Sequence, residues 1–471
     1  MRITIHRGNQ IGGCITEIVS SMGTRIFVDL GHNLPKGDEE SEDEFASEEA
    51  IADLIGDARA IFYTHMHGDH VELFQYVPDG VDQHIGQLAL NIINIMKAKY
   101  EHMSHAKALK ENSDKCLRKL EPFKTYRKGR PIAIDDITVT PFQVSHSSAD
   151  SYMLKIKCDG KTILHTGDFR GHGYMGEGIY KVVDKYHIAG HVDILITEGT
   201  NVDNNGKSMR PESALKEEFK EVFRQYKNTF IICSSTDADR LESIYSANKE
   251  SAQRPFIADT YQKDIIGLIA QQAEEGRRLY HFGPNKIYGY SPTNEKMDYM
   301  MRRYGFVMLI RRSEKFQSYL DKILPFCKPE ETCLVYSQYH GYIEKREGNT
   351  AFNQELFDYV EQFREKSCTI KDRIHTPGHV SKQDLVRLCE LINPALIIPI
   401  HKDEKADFVS ILPDELKMKV CEYEYSKDGI DIEFDPPQGT TRPTGVGRWE
   451  QHPKDTNSTA KKKTNNNPGA L

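Results

Sequence analysis

The chain has 471 residues, 38% of them hydrophobic and 28% charged, with a formal net charge of −8. That length carries more than one hydrophobic core, and no apolar run approaches the ~18–20 residues of a membrane-spanning helix. The acidic balance argues against a uniformly basic coat, and 9 cysteines scattered without a Cys-x-x-Cys pair read as buried thiols rather than disulfides. The start, Met1 to Arg7, has neither a long apolar stretch nor a small-residue cleavage site, so a cytoplasmic protein is expected.

In chain order, short apolar runs bounded by turn residues predict strands at 25–29, 60–63, 137–144, 152–156, 162–164 and 194–196. Acidic residues crowd 37–49, which reads as a solvated loop. One helical region is predicted over 85–120, where Leu88, Ile92, Ile95 and Met96 recur at helical spacing and read as core packing. Pro211 opens a helix whose Leu215, Phe219, Val222 and Phe223 share a face, and strands follow at 229–233, 255–258 and 332–336. This alternation predicts a small parallel sheet flanked by helices. Ser381 then caps a helix, with Asp384 three residues on and Leu385, Leu388 and Ile392 on its buried side. Residues 436–471, ending in Lys461-Lys462-Lys463 and a run of asparagines, have little to bury and are expected to be a disordered, solvated tail.

The chemistry concentrates at His65-Met66-His67-Gly68-Asp69-His70, directly after the apolar run 60–63. Alternate residues of an extended chain face the same way, so His65 and His67 can share one ion, while Asp69 and His70, past Gly68, can turn toward a second. Imidazole with carboxylate suits zinc, with manganese as the alternative, and two ions about 3.5–4 Å apart are a common device for hydrolysing phosphate esters. The chain's 19 histidines will form some close pairs by chance, but His146, Asp168 and His401 each also stand where an apolar strand gives way to a loop. His165 and His172 read as packed or exposed side chains, and His84 and His340 are left open. The basic segments at 124–130, Arg302-Arg303 and Arg311-Arg312 suit a solvated surface about as well as a nucleic-acid track.

The ordered set His65, His67, Asp69, His70, His146, Asp168 and His401 resembles the metallo-β-lactamase superfamily. The resemblance implies an αββα sandwich in which His65, His67 and His146 hold one metal, Asp69, His70 and His401 the other, and Asp168 bridges both. It also implies that Asp29 supports the ligand loop from behind. The long stretch between Asp168 and His401 is similar to the β-CASP insertion of nucleases, with Glu198 as its first extra acidic motif. His375-Thr376-Pro377-Gly378-His379 matches a His-x-Ser-Gly-His segment, with Pro377 where serine is usual. Within that subfamily the chain is most similar to the ribonuclease J group. There, an Asn-x-His-Arg stretch faces the nucleic acid; here Ser234-Ser235-Thr236-Asp237-Ala238-Asp239-Arg240 stands in its place.

The expected organisation is therefore an α/β protein: a first metallo-β-lactamase part over 1–205, an inserted α/β β-CASP domain over 206–370, a second metallo-β-lactamase part over 371–435, and the tail. The resemblance implies a two-metal ribonuclease, exo- or endonucleolytic, that hydrolyses single-stranded RNA with a metal-activated hydroxide. Asp69, Asp168, His379 and Glu198 are the expected catalytic residues. His375, His379, Ser381, Ser235 and Arg240 are the expected substrate contacts. Neither a membrane partner nor a fixed oligomeric state follows, and a homodimer is left open. The alternatives are a β-CASP nuclease for DNA, a small-molecule hydrolase such as a lactonase or thioesterase, and a noncatalytic nucleic-acid scaffold. Such scaffolds typically lose metal ligands, whereas this chain keeps all seven.

Overall fold

Ile26, Phe27 and Val28 follow one another along a strand, and the two-residue period of extended chain sends them to opposite sides. Ile26 and Val28, with Ala60 and Phe62 of the next strand, enter a core shared with a second sheet, which contributes Ile137, Val139, Leu154, Ile156, Ile163, Ile194, Ile196 and Ile398. Phe27, Ile61 and Tyr63 face the other way, onto Ile51, Ile55, Phe74, Leu88 and Ile92 of a helical layer. In the computed structural model, which describes residues 1–35, 42–103, 107–203, 209–276, 280–421, 430–434 and 449–453, the first sheet runs in the order Trp449–Pro453, Ile430–Phe434, Arg2–Ile5, Ile15–Val19, Arg25–Leu30, Ala60–Phe62, Asp82–Ile85, Lys124–Thr125. The second runs Leu396–Ile400, Ile194–Glu198, Lys161–His165, Ser151–Cys158, Ile137–Val144, Ile132–Ile134. Its outer face carries Met153, Leu164, Leu195 and Ile397 against Ile179, Val183, Leu385 and Leu388 of helices Gly178–Lys185 and Lys382–Ile392. The result is an α/β sandwich layered helix, sheet, sheet, helix.

Between Ile194–Glu198 and Leu396–Ile400 of the second sheet, the chain builds a third sheet in the order Ile287–Gly289, Phe256–Ala258, Phe306–Ile310, Asn228–Cys233, Thr332–Ser337, Thr369–Lys371, with every pair parallel. Helices cover both faces, as the alternation of elements requires. Leu215, Phe219, Leu241 and Ile265 lie on one side, and Phe316, Leu320, Val360 and Phe363 on the other. The lobe sits against the sandwich where helix Thr260–Gly276 packs on Gln87–Met103.

Three local expectations change. The region 85–120 is two helices, Gln87–Met103 and Lys107–Leu120, that fold back on each other, and Ser113 Oγ donates to the Lys97 carbonyl at 2.6 Å. A single helix of that length would extend about 50 Å and carry Cys116 and Leu120 away from the core they share with Ile92. The acidic loop is partly structural. The Arg7 guanidinium is buried and needs a counter-charge, which Asp43 supplies at 3.1 Å while also accepting from the Asn33 amide at 2.8 Å. Residues 36–41 lie outside the described residues. Finally, Trp449–Pro453, expected in the disordered tail, pairs antiparallel with Ile430–Phe434, whose free edge offers it backbone partners. The rest of the tail, with Lys461, Lys462 and Lys463, lies outside the described residues. All 9 cysteines are free thiols.

Candidate metal centre

The seven ligand candidates converge because the strands that carry them end on the same side. His65 to His70 follow Ala60–Phe62, His146 follows Ile137–Val144, Asp168 follows Lys161–His165, and His401 follows Leu396–Ile400. Two residues at the cage take the left-handed backbone region, Asp29 near the end of strand Arg25–Leu30 at φ 62° and His401 just past Leu396–Ile400 at φ 48°. Left-handed non-glycine residues are costly and collect where a side chain has to be aimed. Gly31 is there for closeness: a Cβ would lie 1.7 Å from the Asp69 carbonyl oxygen. That contact lets the segment behind the ligand loop bond to it, with the His32 amide donating to the Gly68 carbonyl at 3.0 Å.

Four of the five imidazoles, all but His67, are tied on one side by the protein and turn the other nitrogen inward. His70 Nδ1 lies 2.8 Å from Asp29 Oδ2, and Asp29 also accepts from the Thr64 amide at 2.6 Å and hydroxyl at 2.8 Å. His65 Nδ1 lies 3.1 Å from Thr64 Oγ1, His146 Nδ1 donates to the Gly378 carbonyl at 2.8 Å, and His401 Nδ1 lies 2.8 Å from Thr200 Oγ1. Such outer partners fix ring orientation at metal sites. Facing inward, ring nitrogens of His65, His67 and His146 lie within 4.8 Å of one another, as do His65, His70 and Asp168. Asp69 Oδ2 is 3.3 Å from His401 Nε2 and 3.8 Å from His70 Nε2. The expected first trio, the expected second trio and the expected bridging aspartate therefore occupy one cage.

Charge and hydrogen bonding both call for a cation there. His65 Nε2 is buried with no hydrogen-bond partner, and His70 Nε2, also buried, faces Asp168 Oδ2 at 3.2 Å. Burial pushes the pKa of His65, His67 and His146 down, so they are neutral donors. Burial alone would raise Asp69 and Asp168, yet both are held well below the usual carboxylate range, Asp69 foremost by His70 and Asp168 foremost by His401. His70 is driven the opposite way: burial opposes its proton, but Asp168 first among its neighbours raises it well above an ordinary imidazole. The neutral imidazoles of His65, His67 and His146 beside the ionised carboxylates of Asp69 and Asp168 are the donor types of divalent zinc or manganese. We expect a chelator to lower Tm, because a ligand held at about 1,000 times its Kd adds about 4 kcal/mol to the native state. Calorimetry with and without EDTA, and again after zinc is restored, checks it; an unchanged Tm would count against a resident ion.

Over the cage stands His379, whose Nδ1 is 3.0 Å from Glu198 Oε2 and 3.5 Å from Asp168 Oδ2. Glu198 is itself immobilised by the amides of Phe169 at 2.8 Å and Val380 at 3.4 Å. Burial works against a charged His379, but Glu198 and then Asp168 raise its pKa to about 9. The other expected substrate residues are engaged elsewhere. Arg240 is buried, bonded to Glu212 at 2.8 Å, to Ser337 Oγ at 2.6 Å and to the Thr376 carbonyl at 3.2 Å. His375 Nδ1 lies 3.2 Å from Arg240 Nη1, and burial with that guanidinium lowers its pKa to about 3. The Ser381 hydroxyl caps its helix, accepting from the Asp384 amide at 3.0 Å. Ser235 lines a separate cavity of about 360 Å³ with Ser234, Tyr261, Arg311 and Gln338, at the carboxyl end of the inserted sheet. Arg311 there bonds Asp259 at 2.6 Å and Arg312 pairs with Glu355, so both arginines are already matched. His165 and His172 are buried side chains, His172 donating to the Pro377 carbonyl at 2.7 Å. His84 is buried against Phe62 at 4.7 Å, while His340 Nε2 is 3.1 Å from Asp372.

Thr64, Thr200 and Cys14 belong to the site without having been singled out. Thr64 and Thr200 each stand next to, or two residues from, a residue that was, and adjacency to His65 and Glu198 was the signal available.

No family model matches the chain. Ribonuclease J from Helicobacter pylori (strain ATCC 700392 / 26695) is 22% identical over 409 residues, 83% of this chain and 54% of that protein. Ribonuclease J from Mycobacterium tuberculosis (strain ATCC 25618 / H37Rv) is 24% identical over 258 residues, 52% of this chain and 42% of that protein. The chain thus spans about half the length of the curated relatives it matches, and the matches support a ribonuclease J-like relationship. Among solved structures, a protein of unknown function from Enterococcus faecalis V583 superposes with a TM-score of 0.62 at 16% identity, over 88% of this chain and 96% of that one. That likeness bears on the fold alone. No described helix is long and apolar enough to cross a membrane.

Proposed function

We propose that the chain is a metal-dependent ribonuclease of the β-CASP branch of the metallo-β-lactamase superfamily, acting in the cytoplasm on single-stranded RNA. The domain limits proposed are 1–205 and 371–435 for the metallo-β-lactamase sandwich and 206–370 for the β-CASP lobe. The observation that carries the reading is the convergence of His65, His67, Asp69, His70, His146, Asp168 and His401 on one cage beneath the His379–Glu198 pair. His65, His67 and His146 would hold one divalent ion and Asp69, His70 and His401 the other, with Asp168 between them. When bound, such ions, zinc foremost, supply Lewis acidity to a phosphodiester and lower the pKa of water toward neutrality.

The protein's own groups do the rest. Glu198 fixes Nδ1 of His379, which leaves Nε2–H of the imidazolium as the group that would donate a proton to the departing oxygen. His379→Ala is expected to lower kcat on RNA about 10²-fold, while hydrolysis of a phosphodiester with a nitrophenolate leaving group, which needs no proton, stays nearly unchanged. Equal loss on both substrates would remove the proton donor from the scheme.

Two exposed aromatics follow the strand Thr332–Ser337 of the inserted lobe. Tyr339 and Tyr342 pack edge to face at 5.4 Å with 55% and 42% of their surfaces exposed. Lost solvation and then the charge of Asp69 raise the Tyr342 pKa, and we take this pair as the platform for a base of the substrate. Stacking of one base on an aromatic ring contributes about 1–3 kcal/mol, so Tyr342→Ala is expected to raise KM for single-stranded RNA and leave kcat nearly unchanged. A change in kcat alone would place Tyr342 elsewhere.

The decisive experiment incubates the protein and its Asp69→Ala/His70→Ala variant with end-labelled single-stranded RNA and DNA, with zinc or manganese. Cleavage of RNA by the wild type alone supports the reading. Preference for DNA favours the second nuclease reading, and equal cleavage by both proteins rejects the cage as the active site.

A further inference from the structure

Cys14 reaches the cage from the segment just before strand Ile15–Val19, which carries none of the seven ligand candidates. It follows Gly12 and Gly13, both in the left-handed region at φ 83° and 66°, and this double glycine turn carries the chain beneath the ligand loop. Both glycines are needed for space as well as for φ: a Cβ on Gly12 would lie 3.2 Å from the Asp69 Cβ, and one on Gly13 would lie 2.9 Å from Arg7 Nη1. The Cys14 backbone is then clamped from two sides. Its amide donates to the Asp69 carbonyl at 2.9 Å and its carbonyl accepts from the Gly31 amide at 3.0 Å. The thiol is buried, and its sulfur lies within 4.8 Å of a ring nitrogen of His70 and one of His401, which lie equally close to each other. His70 Nε2 is buried and turned into the cage, 3.2 Å from Asp168 Oδ2.

A tetrahedral zinc ion with sulfur at about 2.3 Å and nitrogen at about 2.0–2.1 Å holds those donors about 3.5 Å apart. A contraction of about an ångström would bring all three into one sphere. No other cysteine among the described residues falls within such a group of donors.

We propose that Cys14 binds, as a thiolate, the ion held by His70 and His401, and so makes that position selective for thiophilic divalent metals over manganese and magnesium. Coordination exchanges the S–H bond for a sulfur–metal bond, and the proton passes to bulk water; no redox change is involved. The two positions of the cage thereby differ: the His65, His67, His146 position offers imidazole alone, and the other offers sulfur as well. This inference rests on the two-ion reading given above, and its test separates the two.

The full chain is stripped with a chelator, reloaded with Co²⁺ and followed by absorption spectroscopy. Thiolate bound to cobalt gives an intense near-ultraviolet charge-transfer band that imidazole and carboxylate do not. The wild type is expected to show this band with one of two cobalt equivalents. Cys14→Ser and Cys14→Ala should lack it, and Cys327→Ser should keep it. In Cys14→Ala the preference for zinc over manganese should fall by about tenfold or more. Two equivalents of cobalt bound without the band, or a band that survives Cys14→Ala, overturns the role of Cys14 and leaves the two-ion reading standing. No cobalt bound at all overturns both. Should either variant fail to fold, the wild-type spectrum still decides.

Discussion

Asp168→Asn is expected to leave fewer than two ions per chain and to slow hydrolysis of single-stranded RNA by about 10³-fold or more, the equivalent of several kcal/mol of lost charge stabilisation. The reason is the number of groups that share one oxygen. Asp168 Oδ2 lies 3.2 Å from His70 Nε2, 3.5 Å from His379 Nδ1, 3.7 Å from His401 Nε2, 3.8 Å from His146 Nε2 and 4.0 Å from His65 Nε2. Asparagine keeps the volume and removes the charge, so the loss cannot be assigned to a cavity. Metal content by elemental analysis and rates on labelled RNA read the two effects separately. Two ions retained with full activity would mean that Asp168 does not bridge. Loss of one ion with the fold intact would show that the two positions depend on it unequally.

The parts of this site that could be read from the sequence are those written in short-range order. His65 to His70 stand six in a row, and apolar runs of strand length end at His146, Asp168 and His401, so period two and a turn residue were enough to place them at strand ends. The parallel lobe was legible for a similar reason, since helix and strand alternate through it. What stayed hidden depends on contacts between residues far apart in the chain. Thr200 reaches His401, Thr64 reaches Asp29, and Cys14 reaches His70, each through a partner that the local pattern does not name. Arg240 shows the converse. An arginine in the segment that resembles a nucleic-acid contact was expected to face substrate, but Glu212, 28 residues earlier, takes its charge. Asp43 looked like one of many solvated acids until Arg7, 36 residues away, is seen to need it. Burial of one charge fixes the identity of another, and no local periodicity reports which pair will form.

The same logic makes Arg170 the residue whose loss should most weaken the fold. It lies two positions after Asp168 and is fully buried, bonded to Asp237 at 2.8 Å and to Asp239 at 2.9 Å, with Glu212 at 3.7 Å. Those three carboxylates belong to the inserted lobe, so this cluster joins the lobe to the ligand-bearing strand. It also reaches His146 by a second path, because the Ser145 hydroxyl donates to Asp239 at 3.2 Å and the Ser145 carbonyl accepts from the Arg170 amide at 2.7 Å. Arg170→Met fills much of the space but leaves buried acids without their cation, a change that costs about 3–5 kcal/mol in such pairs. Asp239 sets the sign with pH. Burial already raises its pKa and Arg170 opposes that rise, so removing Arg170 raises it further. A carboxyl whose folded pKa exceeds its unfolded value binds more protons when folded, so stability falls as pH rises between those two values. The penalty of Arg170→Met should therefore be larger at pH 8 than at pH 5, because lowering the pH moves Asp239 toward its protonated form, which needs no counter-charge. Urea unfolding of both proteins at the two pH values tests this. An equal loss at both would place the damage in lost packing rather than in buried charge, and the ionic tie between lobe and metal cage would have to be given up.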